Sequence, residues 1–278
     1  MTEEKAARLA AIRAAKAAAK TEAAVTDTTQ LIPPAAPQRV RSKQAVEPMV
    51  DEDLLAMSFP TLLLMLLAVG AGALGAVVLV PLWLPGLTAS LLSAEPKAYW
   101  YLARSSAFVS YGLLWLAMIF GLLMTSRAAR LWPGGPVAFD LHQHASLLGL
   151  AFALFHALIL LGDAYIQADL RQVLVPFAYT GYQPLWVGLG QVGFYLMLIV
   201  SLSFYLKGML GRTAWRVIHT LSFAMFVLAL AHGVLSGSDS DTLWAQQIYW
   251  GTGGSVLFLT LYRVLMVQRK NVIASPAS

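Results

Sequence analysis

Six runs of about twenty apolar residues, separated by short polar connectors, limit this chain to very few architectures. A helix rises about 1.5 Å per residue, so a run of about 20 residues crosses a hydrocarbon core roughly 30 Å thick. Only 12% of the 278 residues are charged, about half the share of a soluble domain. The expected fold is therefore all-α: a polytopic membrane protein built as a bundle of six transmembrane helices.

The runs are about 60–83, 101–124, from behind Asp140 to near Gly162, 185–206, 214–235 and 248–267. Ser58 is placed to cap the first, with Pro60 in its first turn. Asp140 is placed to cap the third. Residues 1–53 form an N-terminal tail, 54–270 the membrane domain and 271–278 a short C-terminal tail. The N-terminal tail opens with good helix formers over 1–24 and turns irregular at Pro33, Pro34, Pro37 and Pro48. It contains no continuous apolar signal region, so the first apolar run is expected to direct its own insertion.

Charge sets the expected orientation. Arg127, Arg130, Lys207, Arg212, Arg216, Arg263, Arg269 and Lys270 fall in one set of connectors and the C-terminal tail, with Asp140 as the acidic residue among them. The other set carries Lys97, Arg104 and Arg171 against Glu95, Asp163, Asp169, Asp239 and Asp241. Basic connectors stay inside, which puts both termini in the cytoplasm. Tyr182, Trp186, Trp244, Tyr249 and Trp250 would then form an outer aromatic belt. The expected location is the plasma membrane of a bacterium, as a multi-pass protein in contact with the lipid bilayer and not with nucleic acid.

Two G-x-G-x-x-G matches, GAGALG at 70–75 and GLGQVG at 188–193, lie inside apolar runs. A dinucleotide-binding turn needs a preceding strand and an open helix N-terminus, and neither match has them. Close helix packing explains them better. Ala68, Gly72 and Ala76 recur every four residues, as do Ala71 and Gly75, while Gly188, Gly190 and Gly193 could make room for a planar ligand.

All five histidines fall in two runs: His142, His144 and His156 in the third, His219 and His232 in the fifth. Ionisable groups inside a membrane usually mark a pathway or a cofactor. His142 and His156 stand about 21 Å apart along a helix axis, and His219 and His232 about 20 Å. The third and fifth runs are parallel, so pairing across gives two sites at matching depths: His142 with His219, and His156 with His232. Imidazoles facing each other from two helices suit a haem iron held from both sides. With no cysteine in the chain, thiolate metal sites and covalently attached haem are excluded. Zinc would want further Cys, Asp or Glu ligands, and a proton relay would want alternating carboxylates.

Rotation leaves one ambiguity and one misfit. His142 lies about 40° from His156 around an ideal helix and His144 about 120° away, which favours His142, whereas its closeness to the cap favours His144. His219 and His232 are about 140° apart.

The stretches FDLHQHASLLGLAFALFH, ending at His156, and WRVIHTLSFAMFVLALAHG, from Trp215 to Gly233, resemble the ferric-reductase-like transmembrane domain family. That group includes the membrane halves of NADPH oxidases, ferric reductases and the haem subunit of a methionine-sulfoxide reductase system. The resemblance covers roughly residues 100–270. It implies two b-type haems with ligands 14 apart on the third helix and 13 apart on the fifth. His142, His156, His219 and His232 match ligand positions and His144 matches none. It further implies a di-haem cytochrome b carrying electrons across the bilayer. The chain ends about ten residues after the sixth run without an FAD- and NADPH-binding module, so the expected electron source is a separate redox partner such as a flavoprotein or reductase. Arg104, Arg127, Arg130, Arg212 and Arg216 are candidates to pair with haem propionates, against plain membrane anchoring. One rival is a quinol-linked cytochrome b, the anchor subunit of a larger respiratory or photosynthetic complex, which would need a quinone site. Another is a non-redox scaffold or transporter, which leaves the paired histidines unexplained.

Overall fold

A computed structural model describes residues 11, 13–16, 56–83, 98–126, 128, 131–163 and 165–274. The chain divides into two compact units, Met1–Glu47 and Pro48–Ser278. In the first, Ala11 and Arg13–Lys16 are described, and they are helical. Most of the expected N-terminal tail, together with Glu95, Lys97, Arg127 and Arg130, lies outside the described residues.

Among its described residues the second unit consists of helices joined by turns and irregular connectors, with no strand. Its long helices are α1 (Phe59–Trp83), α2 (Ala98–Ser126), α3 (Gly135–Ile159), α4 (Pro184–Tyr205), α5 (Lys207–Ser236) and α6 (Leu243–Ala274). A 3-10 turn, Leu160–Gly162, extends α3. Among the described residues, α1 to α5 are long and apolar enough to cross a membrane. Their outward faces are apolar as well: Leu64, Leu67 and Leu82 of α1 are about two-thirds exposed. Water would not tolerate such a surface, whereas lipid tails do. The chain is a multi-pass membrane protein. Helix α6 is less apolar, with Gln246, Gln247, Thr252 and Ser255 along it, and does not meet the same measure.

Local chemistry explains most helix boundaries. Ser58 caps α1 as its sequence position suggests, its Oγ accepting from the Thr61 backbone at 3.4 Å. The start of α3 corrects the expectation that Asp140 caps it. The helix begins at Gly135, with Pro136 in its first turn, and Asp140 lies inside it. Proline suits a first turn because its missing N–H would have had no partner there. His142 consequently sits two turns into the helix rather than just behind a cap. Helix α5 starts earlier than its apolar pattern, at Lys207, and breaks at Gly211, whose φ of 77° a residue with a side chain rarely adopts.

The centre of the unit is the antiparallel pair α2 and α3. Three polar contacts join them at seven-residue intervals on both helices. His156 Nδ1 meets Ala103 O at 2.8 Å, Ser110 Oγ donates to Gly149 O at 2.9 Å, and His142 Nδ1 meets Ala117 O at 2.8 Å. A seam that repeats every seven residues requires 3.5 residues per turn, the signature of a left-handed supercoil. Supercoiling removes the drift of about 40° that an ideal straight helix puts between His142 and His156. Both therefore lie on one seam.

The other helices pack around this pair. Leu62, Gly70, Ala73, Ala76 and Val77 form the inward stripe of α1, with Gly70 against Leu158 and Ala76 beside Tyr99 and Ile159. The small-residue faces expected through Gly72 and Gly75 do not pack this way, because a Cβ at either would meet nothing within 4 Å. Helix α6 is tied to α2 by Tyr111 with Thr252 at 2.6 Å and by Trp115 Nε1 donating to Ser255 at 2.9 Å. Tyr249 is drawn into the core beside Phe108 and Tyr111, its hydroxyl donating to Gly233 O. It is thus turned inward, whereas Trp250 is 79% exposed.

An ion pair, Arg104 with Asp239, joins the start of α2 to the connector after α5. It lies between the exposed and buried limits, since Arg104 is partly open to solvent and Asp239 is buried. Asp239→Asn leaves the guanidinium half-buried beside a neutral group. The expected loss is about 1–3 kcal/mol, read as a lower melting temperature in detergent. The double variant with Arg104→Gln should lose less than the two single losses combined.

Candidate functional site

Four of the five histidines are brought together in two pairs. His142 of α3 and His219 of α5 have ring centres 6.0 Å apart, with planes crossing at 66°. His156 of α3 and His232 of α5 have ring centres 6.3 Å apart, with planes crossing at 67°. All four rings are half-buried. His144 is exposed, and its Nδ1 meets the Asp140 carbonyl of its own helix at 2.8 Å.

The paired rings face a gap. Helix α3 packs mainly on α2, α1 and α4, and α5 mainly on α4, so α3 and α5 approach each other chiefly through their histidines. The rotational misfit along α5 is absorbed by its two histidines being held in different ways. His219 stacks on Trp215 of its own helix, centres 5.1 Å apart at 27°. His232 lies in the α4–α5 contact, with Nδ1 2.9 Å from Trp186 O and 3.1 Å from Ser236 Oγ.

Three of the four rings have their tautomer set by the backbone. A carbonyl oxygen only accepts, so Nδ1 of His142, His156 and His232 must donate, to Ala117, Ala103 and Trp186 respectively. Each Nε2 is then left with a free lone pair. A mid-helix carbonyl can serve in this way because its second lone pair remains available after the helical bond.

Glycine makes the close approach possible at Gly190. A Cβ built there would lie 2.5 Å from His232 Nδ1 and 2.6 Å from its Cγ. The neighbouring glycines serve other contacts. Gly188 lies under the Phe177 ring and Gly193 faces the α5 backbone at Leu228 and Ala229. The GLGQVG stretch thus admits side chains and backbone of this protein, with His232 itself the planar group at Gly190.

A cavity of 290 Å³ surrounds the His156–His232 pair, close to the lower end of the roughly 300–1,000 Å³ usual for small-molecule sites. Leu114, Phe194, Met197, Met225 and Ala229 give it apolar walls. Residues 165–183 cover it from the connector side. Asp163 Oδ1 accepts from the backbone of Tyr165 and Ile166, and Asp169 and Gln172 form a capping box on the short helix Leu170–Leu174. From α4, Gln191 donates to the carbonyls of Gln172 and Val173 and accepts from Phe177 N, and Tyr195 donates to Leu174 O. Burial raises the Tyr179 phenol above its ordinary value, with Tyr165 and Asp163 adding to the effect, so it remains a donor to Ile166 O. The sequence marked this connector only as acidic. Its role as a stitched cover depends on Gln191 and Tyr195, which look like ordinary polar residues of an apolar run.

Arg104 borders the same cavity but already has Asp239 as its carboxylate partner. Arg212 and Arg216 are exposed. Among the described residues, no group of three or more His, Cys, Asp or Glu could hold a metal ion.

Residues 98–239, which contain all five histidines, match the model of a family described as a domain of unknown function (DUF8596). No curated protein and no solved structure matches the chain.

Proposed function

The chain belongs to that family, and we propose that it is a di-haem membrane cytochrome b. In this reading it carries electrons across the bilayer between a separate redox partner and an acceptor on the opposite face. The observation that carries the reading is the pair of histidine couples with ring centres 6.0 and 6.3 Å apart. A metal ion held at about 2 Å from one nitrogen of each ring puts the ring centres about 6 Å apart.

The donor set supports haem over a bare metal ion. Two imidazoles per site are too few for a structural or catalytic zinc centre, which takes three or four protein ligands. They suffice for an iron whose other four ligands come from a porphyrin. His142 and His219 would hold one haem, and His156 and His232 the other. The backbone bonds at Nδ1 orient three of the rings and raise their basicity at Nε2. The apolar cavity and its stitched cover supply burial on the His156–His232 side.

Bound haem supplies one-electron chemistry, and the chain's own task is to ligate, orient and bury it. Helix α6 has 32 residues, enough to add a sixth crossing. The basic residues Lys207, Arg212 and Arg216 lie on the same half of α5 as His219, and the acidic Asp239 borders the cavity around the other pair. This polarity supports cytoplasmic termini, with the His142–His219 site on the cytoplasmic side. The electron partner there is a separate flavoprotein or reductase.

A reduced-minus-oxidised absorbance spectrum of the purified protein tests the reading. A b-type haem band is expected, at two haems per chain. Its absence after expression with adequate haem would rule the proposal out.

A further inference from the structure

Beside the His142–His219 pair stands an aromatic and cationic group that the histidine pattern does not require. Trp215 stacks on His219 with ring centres 5.1 Å apart. The Lys207 ammonium lies 4.7 Å from the Trp215 ring centre and 5.5 Å from that of Phe204. Phe204 and Trp215 are themselves in contact at 6.2 Å. The indole Nε1 is buried without an acceptor among the described residues, so the ring contacts alone orient Trp215. Lys207 is half-buried. It opens α5 just before the Gly211 break, which returns the chain so that residues 207 and 215 meet.

We infer that Lys207, held in place by Trp215 and Phe204, is a positioning residue that raises the reduction potential of the His142–His219 site. This rests on the haem reading above. The ammonium stands within about 10 Å of the His219 ring centre, given the two steps through Trp215, and inside a membrane unit a charge at that range is weakly screened. It favours whichever state of the site carries less positive charge, and for a haem iron that is the reduced one. The aromatic clamp matters because a free lysine would carry its charge out to water. The second pair lies about 20 Å further along α5 and should feel little of this charge.

Potentiometric titration of the haem absorbance in the full-length protein tests the inference. The native protein should show two one-electron waves, and His142→Ala identifies the wave belonging to the His142–His219 site. Lys207→Gln should move that wave to lower potential by up to about tenfold in the oxidised-to-reduced ratio, or 59 mV for one electron. Lys207→Arg should restore the wave, and Trp215→Leu, which frees the ammonium, should shift it the same way as Lys207→Gln. Two native waves that neither Lys207→Gln nor Trp215→Leu moves would overturn the inference and leave the haem reading intact. Equal shifts of both waves would overturn it too, since they would report surface charge in general. A native protein without haem waves would overturn inference and reading together.

Discussion

Alanine at His156, or at His232, is expected to remove about half of the bound haem and to leave the other half spectrally native. Either change takes away one of the two imidazoles whose centres lie 6.3 Å apart, and among the described residues no third histidine lines that cavity. His142→Ala and His219→Ala should each remove the complementary half. His144→Ala should leave both, because its ring is exposed and bonded back to its own helix. Haem-to-protein ratio on purified protein, with the band position of what remains, reads all five variants. Complete loss in every single variant would show one shared site. Loss in His144→Ala would contradict the face assigned to α3.

The second large effect is at Gly190, which lines the same cavity but has no side chain to act as a ligand. A single methyl group there would stand 2.5 Å from His232 Nδ1, too close for any real contact. The helical glycine cannot move without disturbing α4. The imidazole must therefore leave Trp186 O and Ser236 Oγ, which now hold it. Metal sites tolerate misplacement of only about 0.5 Å. Gly190→Ala is expected to empty the His156–His232 site as thoroughly as His232→Ala, and to cost about 1–3 kcal/mol through overpacking. Gly72→Ala is the matched control: it adds the same methyl group where nothing stands within 4 Å, and it should change neither haem content nor stability beyond a small helix-propensity gain. If Gly190→Ala retained two haems with native spectra, the close approach of His232 to α4 would carry no functional weight.

Much of the helical frame was legible in the sequence. The apolar runs predicted α1 and α4 to within a residue or so, because apolar length and first-turn proline are local signals. Boundaries went astray where polar or weakly apolar residues continued a helix. Asp140 resembled a cap, yet Pro136 had already started the helix. Lys207 resembled a connector, yet it opens α5. The grouping of histidines was legible as well, since 14 and 13 residues give nearly equal rises along two parallel helices.

What stands beside those histidines was not legible. His232 meets Gly190 and Trp186 from α4, His142 and His156 meet alanine carbonyls of α2, and His219 meets Trp215 and, through it, Lys207. Backbone carbonyls leave no mark in a sequence, and Gln191 and Tyr195 become the fasteners of a cover only once the 165–183 connector folds over them. Spacing along one helix is a one-dimensional property, set by backbone hydrogen bonds and readable from residue order. Rotation about the axis, and the partner that each side chain meets, depend on how neighbouring helices pack, and here a seven-residue seam between α2 and α3 decided them. By itself the sequence determined an all-helical membrane chain with histidines at two depths, and only the tertiary structure decided which faces those histidines turn, what holds each ring, and where the cavity lies.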